Sequence, residues 1–141
     1  MKLYRITDSL YISGSFKRTT LEKKRAALKN IDTVVCLLRR YDEELARQDW
    51  VEYVVSPVPD ATKVNVMAAD QATAIVLNRL ARGKRVLAHC VVGKNRSGLV
   101  AALVLIRRYG FSGNAAVAKV RQLRPGALYN PAMVKYLETN F

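Results

Sequence analysis

An apolar strand run that passes through a seven-residue loop straight into an apolar helix constrains this chain more than any other feature. Lys84–His89 reads as a strand. It leads without a spacer into Cys90-Val91-Val92-Gly93-Lys94-Asn95-Arg96. Ser97–Tyr109 then reads as a helix that Gly110 stops. A near-continuous apolar run suits a strand buried on both faces, the usual setting of a parallel sheet. Thr33–Leu38, with two adjacent valines, has the same character. Strands of this kind, alternating with helical patterns, imply a layered α/β structure.

The remaining segments fit that scheme. Lys2–Ile6 and Leu10–Ser13 read as short strands around a turn at Asp8-Ser9, and Glu52–Val58 as a strand ended by Pro57 and Pro59. Thr19–Lys29 reads as a helix, with Thr19 and Glu22 as a capping box and Leu21, Ala27 and Leu28 on its apolar face. A short helix is expected near Asp42–Gln48. A long one is expected over Val64–Arg82, with Ile75, Val76 and Leu80 inward. Ser112 caps a helix running to about Arg124. Asn130-Pro131 opens the last helix, which ends near Glu138. The expected fold is therefore a mostly parallel sheet of about four to five strands with helices on both faces. With no repeat or linker, residues 1–141 are expected to form one domain.

Charge and cysteine usage narrow the function. Residues 1–70 carry twelve basic and ten acidic side chains; residues 71–141 carry twelve basic ones and only Glu138. A lopsided basic half suits a phosphorylated or polyanionic partner, or simply keeps a surface solvated. Cys36 and Cys90 are too few for a disulfide framework. No segment has the order of a signal peptide, and the longest apolar run, Leu99–Ile106, is eight residues. A soluble, cytoplasmic protein without a membrane span is expected, with monomer as the default.

The loop after the Lys84–His89 strand carries the chemistry. In open α/β sheets, ligands lie beyond the C-terminal ends of the strands. Main-chain N–H groups there, together with a helix N-terminus, favour an anion. Gly93 and Gly98 permit close backbone approach, and the guanidinium of Arg96 matches two phosphate oxygens. Cys90 lies at the base of this cradle. A cysteine at a helix N-terminus beside arginine favours the nucleophilic thiolate. The competing reading of Cys90 is an ordinary buried thiol at a strand end. His89, the single histidine, points to the opposite face from its neighbour, which argues against a protease-like Cys-His dyad. Cys36 reads as core.

The stretch His89-Cys90-Val91-Val92-Gly93-Lys94-Asn95-Arg96-Ser97 resembles the signature of the cysteine-dependent protein tyrosine phosphatase superfamily. Leu10-Tyr11-Ile12-Ser13-Gly14, Arg124-Pro125 and Asn130 are similar to segments of its compact, dual-specificity and atypical branch. The resemblance implies that Cys90 attacks phosphorus and that Arg96 binds the phosphate and its transition state. Main-chain N–H groups from Val91, Val92, Gly93, Lys94, Asn95 and Arg96 would hold the oxygens. Ser97 would assist the sulfur, His89 would brace the loop, and Asn130 would support it, or merely cap its helix. Asp60, thirty residues before Cys90, falls where the family has its general acid; a capping or turn role is the alternative, and Asp70 is the fallback. No cofactor or metal is implied.

The expected function is a phosphomonoester hydrolase working through a cysteinyl-phosphate on phosphorylated protein. The basic half, Lys94 and the Asn95-Arg96 pair also fit RNA 5′-phosphates or phosphoinositides. A non-catalytic phosphate-binding module is the remaining reading.

Overall fold

The computed structural model describes residues 2–16 and 18–141. A five-stranded sheet has the order β1-β2-β5-β3-β4, built from β1 (Tyr4–Arg5), β2 (Leu10–Ser13), β3 (Thr33–Cys36), β4 (Glu52–Val55) and β5 (Val86–His89). Only the β1–β2 pair is antiparallel; β2, β5, β3 and β4 run parallel to one another. The helices are α1 (Leu21–Ala27), α2 (Glu43–Ala46), α3 (Val66–Ala81), α4 (Arg96–Tyr109), α5 (Gly113–Leu123) and α6 (Pro131–Asn140).

The runs read as doubly buried strands are the two at the centre. Every residue of β3 and of β5 is buried. Their side chains alternate between two cores, as the pleat requires. Val35, Val86 and Ala88 join Leu10 and Ile12 beneath the cluster formed with α3, α4, α5 and α6. Val34 and Leu87 face the other way and pack with Phe16, Leu28, Leu45 and Val51 around α1 and α2. The parallel register aligns these rows, setting Leu87 opposite both Tyr11 and Val34. Helices thus cover both faces of the sheet, as expected. Among the described residues no helix is long and apolar enough to cross a membrane.

Several element boundaries differ from those the sequence suggests. The first strand contracts to Tyr4–Arg5, and the edge strand β4 stops at Val55 rather than Val58. Helix α1 is capped one residue later than the Thr19–Glu22 box suggests: Thr20 accepts from the Lys23 N–H at 3.3 Å. Asn65 caps α3, so that helix starts at Val66 rather than Val64, and Ile75 is only half-buried. The last helix runs on to Asn140.

The largest surprise is on α1. The face expected to be apolar buries Lys24, whose ammonium lies 2.6 Å from Asp42 and 3.4 Å from Glu44. Asp42 in turn caps α2 by accepting from the Leu45 N–H. A charge in this position is stable only because its partner is buried with it. At the opposite end of the sheet, Arg79 of α3 grips Glu52 of β4 through two bonds of 2.8 and 3.0 Å, and Thr33 donates to the same carboxylate. The Arg79 guanidinium holds the Glu52 carboxyl below its usual range, against burial. Because the folded value is lowered, the tie contributes fully above the ordinary carboxylate range and is lost as pH falls from there through the lowered folded value.

Replacing Lys24 with methionine leaves Asp42 buried without its cation. Removing one partner of such a pair costs about 3–5 kcal/mol. Urea unfolding of Lys24→Met should record a loss of that order. The exposed Lys29→Met should change stability by less than about 0.5 kcal/mol.

Candidate active site

Strand β5 ends at His89, and the next residues leave the C-terminal edge of the sheet as a loop. The Cys90 N–H still donates to the Ser13 carbonyl at 3.2 Å, extending the β2 pairing by one residue. The thiol is only 2% exposed. Its Sγ lies 3.4 Å from Ser97 Oγ in the first turn of α4. A buried hydroxyl in that position can hydrogen-bond a thiolate.

The loop is folded back onto the end of β2. The Ser15 N–H donates to the Val91 carbonyl at 2.8 Å. Gly93 has φ +69°, and a Cβ built there would lie 2.6 Å from the Ser13 carbonyl carbon and 2.7 Å from the Gly14 nitrogen. A Cβ on Gly14 would lie 2.8 Å from the Val91 carbonyl oxygen. Two glycines therefore face each other across this contact, each leaving room for the other's backbone. From the side, Arg124 donates to the Val92 and Gly93 carbonyls at 3.1 and 3.2 Å while lying over the Tyr4 ring. The Leu128 N–H takes the Lys94 carbonyl at 3.1 Å.

With their carbonyls tied outward, the N–H groups from Val91 to Arg96 have no acceptor among the described residues. The Nε of Arg96 is buried without a partner. Arg96 also lines a cavity of about 470 Å³ with Arg39, Asn65 and the Pro57–Pro59 segment. Unmatched donors of this number around one thiol fit an oxyanion with several acceptor atoms. Val91 and Val92 are exposed apolar residues of the loop.

His89 faces away from Cys90, as the strand alternation implies. Its ring packs against Phe16 at 4.9 Å and Tyr53 at 6.4 Å. Burial, then a hydrogen bond with Cys36, pushes the Tyr53 phenol far above its ordinary value. Its oxygen accepts from the Asp42 N–H at 2.9 Å. Cys36 itself is buried in β3 as a free thiol, consistent with core.

Asp60 is an exposed residue of the segment joining β4 to α3. It is brought to the loop through amides. Asn95 Nδ2 reaches its two oxygens at 3.2 and 3.5 Å, and Asn130 Nδ2 donates at 2.8 Å. Asn130 also caps α6, accepting from the Ala132 and Met133 N–H groups. The side chain of Asn130 is thus the helix cap; its contact with the phosphate loop is made by its main-chain N–H, which donates to Asn95 Oδ1 at 3.0 Å. Asp70, the fallback acid, lies on α3 and is paired with Arg107 at 2.6 Å, outside this cluster. Beside Asp60, a cavity of about 560 Å³ is lined by Asn95, Asn130, Lys135 and the 61%-exposed Tyr129. Among the described residues no group of three or more His, Cys, Asp or Glu could hold a metal ion.

Sequence reasoning missed three contributors. In the sequence Arg124 stands out only beside Pro125, and its service to the loop carbonyls needs the folded chain. Ser13-Gly14 as the floor of the loop was foreshadowed only by the glycine after the strand. The Asn95 side chain, as distinct from its N–H, had no signal at all.

Gly93→Ala tests the loop's seating. The added methyl meets main chain rather than a yielding side chain, in a conformation that disfavours L-residues. We expect binding of the phosphate mimic vanadate, measured by isothermal titration calorimetry, to weaken by about tenfold or more. Unchanged binding would mean that the loop tolerates displacement from β2.

The dual specificity phosphatase catalytic domain model matches residues 10–140. A dual specificity protein phosphatase 1 of Arabidopsis thaliana is 30% identical over 94 residues, 66% of this chain and 48% of that protein. The Slingshot homolog 3 protein phosphatase of Rattus norvegicus is 36% identical over 59 residues, 42% of this chain and 9% of that protein. The matched part of the chain therefore spans less than half the length of these curated relatives. The crystal structure of Tk-PTP in its active form superposes with a TM-score of 0.83 and 27% identity, covering 99% of this chain and 97% of that one. A phosphatase from Cydia pomonella shares the fold at a TM-score of 0.82 and 19% identity, over 97% of this chain and 88% of its own. With 131 of its 141 residues inside the family model, and with the loop, thiol and arginine arranged as described, the chain belongs to the dual specificity phosphatase catalytic domain family.

Proposed function

We propose that this protein hydrolyses phosphomonoesters through a cysteinyl-phosphate, with phosphorylated protein as substrate, phosphotyrosine foremost and phosphoserine or phosphothreonine as well. One observation carries the reading. A buried thiol, with a hydroxyl 3.4 Å from it, lies at the base of a loop of unmatched N–H donors and a buried, unpartnered arginine nitrogen.

In the first step Cys90 Sγ attacks phosphorus, the S–P bond forms and the ester P–O bond breaks. Asp60 donates its proton to the departing oxygen. The loop N–H groups and Arg96 hold the equatorial oxygens, with donors already placed before charge redistributes. In the second step Asp60, now a carboxylate, takes a proton from water. The water oxygen bonds to phosphorus and the thiolate leaves, stabilised by Ser97. Every group named belongs to the chain, so the cycle needs no metal. A protein substrate accords with the exposed Val91, Val92 and Tyr129, which give the rim an apolar character.

A second reading keeps the chemistry and changes the substrate to a polyanion, an RNA 5′-phosphate or a phosphoinositide. It is favoured by the basic second half and by Lys94, whose ammonium lies 6.0 Å from the Tyr129 ring centre beside the site.

Turnover of p-nitrophenyl phosphate in EDTA is expected for the wild type and expected to vanish in Cys90→Ser. Activity surviving that substitution would remove the covalent mechanism; a folded, reduced wild type inactive over a range of pH would favour a phosphate-binding module. Salt separates the two substrate readings. Each phosphate neutralised on a single-stranded polyanion contributes about −0.7 to the slope of log affinity against log salt. A slope several times that value for RNA, with a flat response for a phosphotyrosine peptide, would favour the polyanion.

A further inference from the structure

We propose that Asn95 positions the general acid: the side chain immediately before the phosphate-binding arginine aims Asp60 at the leaving oxygen. The inference rests on the assignment of Asp60 made above.

Asn95 begins as an anomaly. It is the N-cap of α4, and asparagine in that position ordinarily accepts from the N–H two or three residues on. Here it makes no such bond, and its own backbone is helical, at φ −88° and ψ −64°. The side chain is turned elsewhere although the residue is only 2% exposed. Its Oδ1 accepts from the Asn130 N–H at 3.0 Å. Its Nδ2 donates to the Asp60 carboxylate.

Two consequences follow. First, the opening N–H groups of α4 are left without a side-chain acceptor, which keeps them for an anion in the loop. A capping asparagine would have competed for them. Second, Asp60 acquires a fixed direction. It is exposed and forms no ion pair among the described residues. What holds its carboxylate are the amides of Asn95 and Asn130, and Asn130 also donates to the Ala61 carbonyl at 2.9 Å. Residues 60, 95 and 130 come from three separate segments, each pair 35 or 70 positions apart. Only a side chain with one donor and one acceptor at the same reach satisfies both of Asn95's partners. Aspartate would set acceptor against acceptor at Asp60, and an aliphatic residue would leave both neighbours unmatched.

A misdirected acid has a specific kinetic signature. Proton donation matters most when the leaving oxygen is strongly basic and least when it departs readily as an anion. Phenyl phosphate and p-nitrophenyl phosphate differ in this respect and little in size. In Asn95→Ala, kcat for phenyl phosphate should fall by about tenfold or more, against about threefold or less for p-nitrophenyl phosphate. The inhibition constant of vanadate should stay within about threefold, because the loop N–H groups are retained. Asp60→Asn should produce the same skew more strongly, and adding Asn95→Ala to it should do little further, since the two act as one unit.

An equal fall for both substrates with weakened vanadate binding would overturn the proposal, making Asn95 a structural part of the loop. If Asn95→Ala does not fold, Asn130→Ser takes its place. Serine retains a capping acceptor for α6 but removes the amide donor to Asp60, and the same skew is expected. A skew in Asp60→Asn with none in Asn95→Ala or Asn130→Ser would refute positioning and leave the acid assignment intact. No skew even in Asp60→Asn would overturn both.

Discussion

The seating of the loop on the end of β2 is the contact on which the site depends. Gly93 and Gly14 bring two stretches of main chain closer than any side chain allows. That approach turns the carbonyls of Val91, Val92, Gly93 and Lys94 toward Ser15, Arg124 and Leu128. Once the carbonyls are engaged on the outside, the N–H groups are what remain for a ligand. An anion cradle made of main chain needs such outside support, since a free loop would satisfy its own donors.

The sheet supplies the rigidity that makes this possible. Strands β3 and β5 are buried on both faces, and the loop begins where β5 ends between two parallel neighbours. The two cores on either side carry different parts of the site. The cluster under α3 and α4 contains Cys90, while the opposite face holds the His89 ring against Phe16 and Tyr53. Two consecutive residues at the end of β5 thereby place a thiol and an imidazole on opposite faces of the sheet.

What could be read in advance followed local rules. The two inner strands, the apolar α4 and the Ser112 and Asn130 caps were visible because burial periodicity and capping chemistry are local in sequence. Cys90, Arg96 and Ser97 stand out as candidates because a thiol, an anion fork and a hydroxyl at that spacing follow a strand and open a helix. The sequence is ambiguous where two local solutions are nearly equivalent. Thr19 and Thr20 are both acceptable caps, and the folded chain uses the second. Nothing local marks Lys24 for burial, since its partner Asp42 is eighteen residues away.

The sequence by itself determined the chemistry class and the layered α/β scheme, because both reside in contiguous segments: buried-strand runs, helix signals, and one strand-loop-helix carrying a thiol and an arginine. Tertiary structure alone decided which polar side chains meet. Asp60, Asn95 and Asn130 converge from three segments, Arg124 reaches back over thirty residues to the loop, and Lys24 finds Asp42. Such pairings depend on crossing directions of strands and helices. No window of sequence contains them, because hydrogen-bonding groups carry no record of partners distant along the chain.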